Sequence, residues 1–305
     1  MRYNGRKGGR RVFVCSLCPH RCAAVRDEAG GTGRCGLPSV AMVARAALHH
    51  GEEPCISGDD PARGSGTVFF GGCTLSCAFC QNHTISRHAA GRAVSAERLA
   101  DIFRELVAQG AHNINLVSPT PYVPTIRRAL SLYRPPVPIV YNCGGYERVE
   151  TLCSLDGLVD VYLPDFKYAD GALAAALSGA PDYPEVAVAA IREMVRQTGR
   201  ATLDEQGIAQ SGTIVRHLVL PGHTRNSLRC LDVLSTIPDI YVSLMFQYTP
   251  MGEVEGFPTL SRRVTQRECD KVWDYLLELG LTDGYVQTRD SAGTAMIPAF
   301  DLTGV

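Results

Sequence analysis

The chain has 305 residues, of which 45% are hydrophobic and 20% are charged, and its formal net charge is −1. This length predicts one large α/β domain or about two smaller ones, with enough apolar residues for a core without disulfides. The balanced charge argues against broad binding to nucleic acid or to an anionic membrane, and no apolar run of about 20 residues predicts a transmembrane helix. Arg10 and Arg11 resemble the start of an export signal, but no apolar stretch follows them. We therefore expect a cytoplasmic protein.

Four of the twelve cysteines form a first cluster with the spacing C-x2-C-x3-C-x12-C; they are Cys15, Cys18, Cys22 and Cys35. Glycines surround the last of them, and glycine permits the tight turns that bring thiolates together. Four thiolates predict a closed metal site, either a structural zinc ion or an iron–sulfur cluster, and the spacing fits both. We therefore predict an N-terminal cysteine-rich, metal-binding segment at residues 1–62 and a larger domain at residues 63–305.

A second cluster follows an apolar run at residues 67–70, which predicts a short buried strand. Its spacing is C-x3-C-x2-C, and its members are Cys73, Cys77 and Cys80. No fourth cysteine lies close behind, so the three thiolates can hold three corners of an iron–sulfur cluster and leave one iron open to a ligand. His83 lies three residues after Cys80, which leaves a zinc site of three cysteines and one histidine as the alternative.

Beyond this cluster, apolar runs alternate with segments of helical periodicity. The predicted strands are 67–72, 113–118, 138–143, 159–166, 213–220 and 240–247. The predicted helices are 96–109, 122–133, 146–154, 183–198, 226–236 and 265–279, and Ser95 is the expected N-cap of the first. Strands that are apolar on both faces are typical of parallel strands between helices. The pattern predicts an α/β fold, a partial (β/α)6 TIM-like barrel with an open side, and a doubly wound sheet is the alternative.

Polar residues stand at or near the carboxyl ends of the predicted strands, where the active sites of such folds lie. The candidates are Ser118, Thr120, Asn142, Asp165, Lys167, Arg216 and Gln247. Taken singly, Asp165 and Lys167 fit a surface ion pair of little energetic value, and Arg216 fits a buried charge satisfied by its neighbours. Their shared position favours a site instead. Cys143, a lone cysteine at the same edge, is expected to pack in the core.

The three cysteines, with the aromatic Phe79 before the last of them, resemble the signature of the radical S-adenosylmethionine (SAM) superfamily. Within that superfamily, the chain resembles the PflX-type relatives of pyruvate formate-lyase activating enzyme. The segments that carry this resemblance follow the expected order along nearly the whole chain. They are 15–22 (CSLCPHRC), 71–82, 110–117 (GAHNINLV), 139–142 (IVYN), 160–168 (DVYLPDFKY) and 215–221 (VRHLVLP).

The resemblance implies that the second cluster, Cys73, Cys77 and Cys80, holds a 4Fe–4S cluster. Its open iron binds SAM, whose adenine lies near Phe79, and reductive cleavage of SAM yields a 5′-deoxyadenosyl radical that abstracts a hydrogen atom. Activating enzymes carry a Gly-Gly-Glu type motif after the second strand, where this chain has Ser-Pro-Thr-Pro at 118–121. The acidic contact is thus missing, and the substitutes offered here are Asn115, Ser118 and Thr120. The other implied contacts to the cofactor or a nearby cation are Asn142, Asp165, Lys167, Arg216 and Gln247.

The implied activity is that of a radical SAM oxidoreductase, an iron–sulfur enzyme of the activating type. Its implied protein substrate is a glycyl radical enzyme, and its implied reductant is of the flavodoxin or ferredoxin type. The four N-terminal cysteines are absent from the simplest activating enzymes, which argues against simple activation of pyruvate formate-lyase. The alternatives are radical modification of a peptide, an RNA or a small molecule, and a non-catalytic zinc-binding interaction protein.

Overall fold

The computed structural model describes residues 3–7, 10–291, 293 and 297–305. These residues form two sheets and a set of flanking helices. The smaller sheet has three antiparallel strands, β1 (Tyr3–Lys7), β2 (Arg10–Val14) and β3 (Val25–Arg26). The larger sheet has ten strands: β4 (Ala41–His49), β5 (Gly64–Phe70), β6 (Arg92–Val94), β7 (Ala111–Val117), β8 (Ile139–Cys143), β9 (Val161–Pro164), β10 (Thr202–Leu203), β11 (Ala209–Leu218), β12 (Tyr241–Met245) and β13 (Gly284–Gln287).

Seven strands of the larger sheet run parallel, in the spatial order β13-β12-β11-β9-β8-β7-β5. β4 continues the sheet antiparallel to β5, β6 pairs with β4, and β10 pairs with β11. The helices are α1 (Pro54–Ser57), α2 (His83–Ser86), α3 (Ala96–Ala108), α4 (Val123–Leu132), α5 (Val149–Cys153), α6 (Gly171–Ser178), α7 (Tyr183–Thr198), α8 (Thr224–Leu234) and α9 (Gln266–Glu278). Among the described residues, no helix has both the length and the apolar character needed to cross a membrane.

The predicted architecture, an α/β fold with an open and mainly parallel sheet, is confirmed. Every predicted strand and helix overlaps an observed one, and Ser95 caps α3 by accepting a hydrogen bond from Arg98 N. The parallel part has seven strands, one more than predicted. The additional strand, β13, escaped the prediction because it is short and alternates between exposed and half-buried residues. β4 precedes residue 62 yet pairs with β5, so the larger sheet takes strands from both sides of the predicted boundary. The division at residue 62 stays a prediction.

One end of the barrel interior is closed by α1. β4 ends where β5 begins, with His49 opposite Ser65, so the segment after β4 lies at the amino-terminal end of the parallel strands. From there α1 places Cys55 and Ile56 against apolar residues of the inner face: Val140, Val161, Leu163 and Ile214. Residues 301–305 return to β4, where Ala46 N donates to a tail carbonyl over 2.9 Å. The polar site therefore lies toward the opposite, carboxyl-terminal end of the strands.

Candidate active site

The cluster loop, residues 71–80, connects β5 to the segment before α2 and carries the three closely spaced cysteines. Gly72 has a φ of +84°, and a Cβ at this position would lie 2.3 Å from the side chain of Leu37, so the loop requires glycine here. Two backbone N–H groups of the loop donate to carbonyls at the end of α6, over 2.8 and 3.2 Å. The three thiols are thus carried by one short loop that is fixed to the rest of the domain.

The thiols of the cluster loop form a donor set that fits a metal cluster. Burial raises the pKa of the Cys73 thiol to about 12, and the neighbouring Cys77 adds to this effect. Burial also raises the pKa of Cys77, while Lys167 opposes the shift, and Ser178 Oγ donates a hydrogen bond to Cys77 Sγ over 3.0 Å. Buried thiols become anionic when a metal supplies the compensating charge, and soft thiolates suit iron–sulfur clusters. In the described part of the chain, no three Cys, His, Asp or Glu side chains converge closely enough to bind a single ion.

Asp165 and Lys167, just after β9, form an ion pair in which only 16% and 15% of the respective side chains are exposed. Burial opposes the charge of each residue, but Arg216 and Lys167 hold the pKa of Asp165 below its ordinary value. Asp165 and Cys77 likewise raise the pKa of Lys167 despite its burial. Both groups are therefore charged at neutral pH, and the pair is buried, unlike the surface pair that the sequence left open. Because the charge of Lys167 also lowers the pKa of the Cys77 thiol, this ion pair interacts electrostatically with the cluster loop.

Arg216 of β11 joins two predicted site residues to one that the sequence did not indicate. Its guanidinium donates to Asp165 Oδ1 over 2.9 Å and to Asn142 Oδ1 over 2.7 Å. It also donates to Glu52 Oε2 over 3.0 Å, and Asn142 donates to the other oxygen of Glu52 over 3.0 Å. Burial opposes the charge of Arg216, but the surrounding carboxylates raise its pKa. We call these four residues the Arg216 network.

Two buried polar side chains on the inner face have atoms without a hydrogen-bond partner among the described residues. Asn115 lies opposite the inner-facing Val140 in the sheet, and neither its amide oxygen nor its amide nitrogen is paired. Glu53 Oε2 accepts no hydrogen bond and lies 3.9 Å from Arg216 Nη1, and Glu53 Oε1 accepts from Ser243 Oγ over 3.1 Å. Burial raises the pKa of Glu53 to about 7, although Arg216 opposes this. An unpaired buried polar group costs free energy, so these atoms fit a ligand that completes their hydrogen bonds.

Thr120 is separate from the other predicted contacts. Its Oγ1 donates to Glu147 Oε1 over 2.6 Å, and Tyr141 OH donates to the other oxygen over 3.2 Å. Burial raises the pKa of Glu147 to about 7, and these two hydrogen bonds lower it in part. Tyr141 and Cys143 belong to the core between sheet and helices, so this cluster lies outside the barrel interior. Cys143 is a core cysteine, as expected.

Ser118, Gln247 and Phe79 are not part of the Arg216 network. Ser118 has a φ of +58°, and its N–H donates to Asn142 O over 2.9 Å, so the chain turns sharply after β7. Gln247 follows β12 and is half-buried. Phe79 is buried beside Tyr248, with ring centroids 6.3 Å apart. The cofactor contacts of these residues stay predictions.

The four N-terminal cysteines, separate in sequence from the cluster loop, are its neighbours in space. All four line one cavity of about 230 Å³, and Cys73 lines the same cavity. Burial raises the pKa of Cys18 to about 11, and the proximity of Cys15 and Cys35 adds to the shift. His20 Nε2 lies 2.9 Å from a carbonyl oxygen of the cluster loop. The structure therefore brings both predicted cysteine sets to one side of the domain.

Sequence reasoning missed Glu52, Glu53 and Arg26. The two glutamates form an adjacent acidic pair before a proline, a pattern that usually marks a solvated loop. Arg26 lies between Cys22 and Cys35, the third and fourth of the N-terminal cysteines, where an isolated arginine is usually a surface charge, yet only 1% of it is exposed. Local sequence carries no signal for these three residues, because each acquires its role from elements that are distant along the chain.

The comparisons with known proteins agree with this geometry. Residues 67–229, more than half of the chain, match the radical SAM superfamily. An uncharacterized protein of Methanocaldococcus jannaschii, MJ0674, is 30% identical over 267 residues, which cover 84% of this chain and 72% of that protein.

Among solved structures, SuiB of Streptococcus suis bound to its precursor peptide SuiA has a TM-score of 0.50 at 14% identity and covers 71% of this chain. The chain spans about half of the length of SuiB, with 47% covered. A domain of a pyruvate-formate lyase-activating enzyme from Bacteroides vulgatus has a TM-score of 0.36 at 14% identity, covering 63% of this chain and 91% of that domain. At 14% identity the likeness to SuiB concerns the fold alone. From the sequence match and the cysteine loop on a partial barrel, the chain belongs to the radical SAM superfamily, whose membership implies a 4Fe–4S cluster and SAM.

Proposed function

We propose that this chain is a PflX-type radical SAM enzyme, related to the activating enzymes, that cleaves SAM reductively and abstracts a hydrogen atom from a protein or peptide. The observation that carries the proposal is the buried ion pair of Lys167 with Asp165 of the Arg216 network. The charge of this lysine also lowers the pKa of the Cys77 thiol in the cluster loop. A fixed cation and a set of acceptor oxygens thus adjoin the loop that carries the three thiols. When bound, the cluster and SAM supply hydrogen-atom abstraction after a one-electron reduction.

The residues of this chain can hold the two charged groups of the methionine part of SAM. Lys167 can donate charge-assisted hydrogen bonds to the carboxylate. The oxygens of Asp165 and Asn142 already accept from Arg216 and Lys167, and each retains a lone pair that can accept from an amino group or bind a cation. Asn115 offers one unpaired donor group and one unpaired acceptor to the bound cofactor. Each of these residues supplies binding and orientation, which is the part that a protein contributes to cofactor chemistry.

A protein or peptide substrate is supported by two observations. The chain resembles activating enzymes, whose substrates are glycyl radical enzymes, and the SuiB structure is bound to a precursor peptide. An external reductant of the flavodoxin or ferredoxin type would deliver the electron. A reducing cytoplasm would keep the thiols free for metal, and all twelve cysteines are free in the structure.

The proposal includes a second metal centre, of zinc or iron–sulfur type, at the four N-terminal cysteines. Its support is the cavity that these four thiols line beside the cluster loop. Four thiolates suit a closed site of either type.

The test is cleavage of SAM by anaerobically purified, iron–sulfide-reconstituted protein with dithionite as the reductant. We expect equal amounts of 5′-deoxyadenosine and methionine from the wild type. Cys77→Ala, which removes one thiolate of the cluster loop, should reduce both products to background. Cys153→Ala is the matched control, because Cys153 is exposed and belongs to neither cysteine set. Cleavage at the wild-type rate by Cys77→Ala, or none by iron-loaded wild type, would contradict the proposal.

The substrate class is tested by following the abstracted hydrogen. We expect deuterium in 5′-deoxyadenosine when the reaction contains the protein fraction of host cells grown on deuterated glycine. The RNA and small-molecule fractions of the same cells serve as controls. Deuterium transfer only from one of those fractions would replace the protein substrate by that class.

A further inference from the structure

The cavity beside the cluster loop has an unusual lining. It measures about 230 Å³, and its wall includes Cys15, Cys18, Cys22, Cys35 and Cys73. A single water molecule occupies about 30 Å³ in the liquid, so a cavity of this size, with five thiols in its wall, has room for an inorganic core of several atoms. A zinc ion with bonds of about 2.3 Å would instead draw its four sulfur ligands into mutual contact.

A buried guanidinium faces this cavity without a carboxylate partner in the described residues. Arg26 is 1% exposed, and it donates to the carbonyl oxygens of Leu37 over 3.0 Å and Pro121 over 2.9 Å. Its NH1 lies 3.5 Å from Cys15 Sγ, and the ring of Tyr122 lies 5.8 Å away. Carbonyls and an aromatic face compensate a buried charge only in part, since burial of an ion is costly unless an opposite charge pairs with it. The Cys15 sulfur becomes such a charge when it binds a metal.

The backbone at two glycines near these cysteines packs closely against neighbouring side chains. A Cβ at Gly33 would lie 2.7 Å from Cys22 Sγ and 2.5 Å from the Ala24 side chain. A Cβ at Gly31 would lie 2.9 Å from the Arg26 side chain. Glycine at these two positions therefore permits the close approach of the loop to the Cys22 thiol and to the Arg26 side chain.

The N-terminal segment is also fixed to the cluster loop. His20 Nε2 lies 2.9 Å from Thr74 O of the cluster loop, and Arg34 donates to Gly179 O, at the end of the neighbouring α6, over 3.1 Å. The contact between Leu37 and Gly72 adds an apolar connection. A centre held by the N-terminal thiols is thus adjacent to Cys73 and remains in a fixed position relative to it.

We propose that Cys15, Cys18, Cys22 and Cys35 bind a second iron–sulfur cluster, of the 4Fe–4S type, and that Arg26 is its buried counter-charge. This inference rests on the proposed function only for the identity of the iron–sulfur cluster at the cluster loop. In a 4Fe–4S cluster each thiolate binds a different iron, so the four ligands lie around a shared core, and all four of these cysteines line one cavity. Arg26 acts as a positioning residue, because it contacts the ligand Cys15 and stabilises the negative charge of the thiolate cluster.

The experiment compares metal content in the wild type and in a Cys73→Ala/Cys77→Ala/Cys80→Ala triple variant, both reconstituted anaerobically with iron, sulfide and zinc. We expect about eight irons and eight sulfides per wild-type chain and about four of each in the triple variant. The reduced triple variant should still show the electron paramagnetic resonance signal of a 4Fe–4S cluster. Cys18→Ala/Cys35→Ala should lose the other half of the iron, and Cys153→Ala should lose none. About one zinc per chain with no iron in the triple variant overturns the proposal.

The role of Arg26 is tested in the triple variant by the reduction potential of the iron–sulfur cluster at the four N-terminal cysteines. Arg26→Met removes a positive charge, so the potential should fall, and Arg26→Lys should restore part of the wild-type value. Arg34→Met is the control, since Arg34 lines the same cavity but is an exposed residue bonded to the cluster loop and α6. A purely structural role would lower cluster occupancy without moving the potential, and an unchanged potential overturns the counter-charge.

These measurements separate the two proposals. Iron in the triple variant combined with no SAM cleavage by the wild type would support the iron–sulfur cluster at the N-terminal cysteines and contradict the radical SAM activity. SAM cleavage by a protein with one iron–sulfur cluster at the cluster loop and one zinc ion at the N-terminal cysteines would support the radical SAM activity and contradict the N-terminal iron–sulfur cluster. Neither result depends on Cys18→Ala/Cys35→Ala folding, because the triple variant keeps the N-terminal site intact.

Discussion

Arg216 Nε lies 2.9 Å from Asp165 Oδ1, so a guanidinium of β11 fixes the carboxylate that follows β9. The same guanidinium bonds Glu52, in the segment that leads into α1. The segment that closes one end of the barrel is thereby connected to the polar residues toward the other end. Because Asp165 also pairs with Lys167, the orientation of that cation depends on a residue of β11 and on a residue before β5.

Arg216→Met should be strongly destabilising. It leaves the carboxylates of Asp165 and Glu52 without their buried partner, and breaking a buried ion pair from one side costs about 3–5 kcal/mol. The measurement is the free energy of unfolding in urea. Arg200→Met is the control, because its pair with Asp283 is exposed and should cost about 1 kcal/mol or less. Equal losses in the two variants would show that the Arg216 network contributes no more to stability than an exposed ion pair.

Lys167→Met should weaken the binding of SAM by about 10- to 100-fold, since a charge-assisted hydrogen bond contributes about 1.5–3 kcal/mol. Equilibrium dialysis with the oxidised, cluster-loaded protein measures this loss without turnover. Lys271→Met removes an exposed lysine of α9 and should leave the affinity unchanged. Wild-type affinity in Lys167→Met would remove the carboxylate contact from the proposed site.

Much of the fold could be predicted because its strands are buried on both faces. β5 and β8 are buried throughout, and their apolar parts, residues 68–70 and 139–141, are visible in the sequence. β13 has no such run, and α6 has no polar face that would give it a helical periodicity, so both lay outside the prediction. β4 pairs with β5 through tertiary packing, which the sequence of neither strand predicts alone.

The candidate site was predictable where residue type and strand position coincide. Asn142, Asp165 and Arg216 stand at or near strand ends, and the structure joins them. Glu52 completes the same network from a segment that is 164 residues before Arg216, so only the packing of α1 into the barrel reveals it. Thr120 shows the converse: its position at a strand end suggested the inner face, but its hydroxyl bonds Glu147 in the outer core.

Glu147 should make the stability of the apo-protein depend on pH. Burial raises its pKa in the folded state to about 7, against an ordinary value of 4.5, so the folded protein binds the proton more tightly than the unfolded chain. This contribution is fully present below pH 4.5 and is lost as the pH rises through about 7. Glu147→Gln should flatten that decline, which amounts to about 1.4 kcal/mol per unit of pKa shift.

Urea unfolding of wild type and Glu147→Gln at pH values from 5 to about 8 checks this expectation. The free energy of unfolding of Glu147→Gln, relative to that of the wild type, should increase as the pH rises. Glu185→Gln, on the exposed surface of α7, provides the control for loss of a carboxylate. A difference that stays constant with pH would mean that Glu147 titrates near its ordinary value.

Gly72→Ala should displace the cluster loop. The residue has a φ of +84°, and the added Cβ would lie 2.3 Å from the buried side chain of Leu37. Gly207→Ala is a matched control, because Gly207 has a φ of +78° and a Cβ there meets nothing within 4 Å. Both variants carry the cost of a left-handed backbone, about 1–2 kcal/mol. Only Gly72→Ala adds a clash, so it should lose more stability and also lose iron bound by the loop.

A double-mutant cycle with Leu37→Ala isolates that clash. If Leu37 is the obstacle, Gly72→Ala/Leu37→Ala should recover part of the iron content and part of the 5′-deoxyadenosine yield that Gly72→Ala loses. Leu37 belongs to the N-terminal segment, so recovery would also show that this segment sets the position of the cluster loop. If the double variant binds no more iron than Gly72→Ala, the loss comes from the backbone conformation at Gly72 and not from its contact with Leu37.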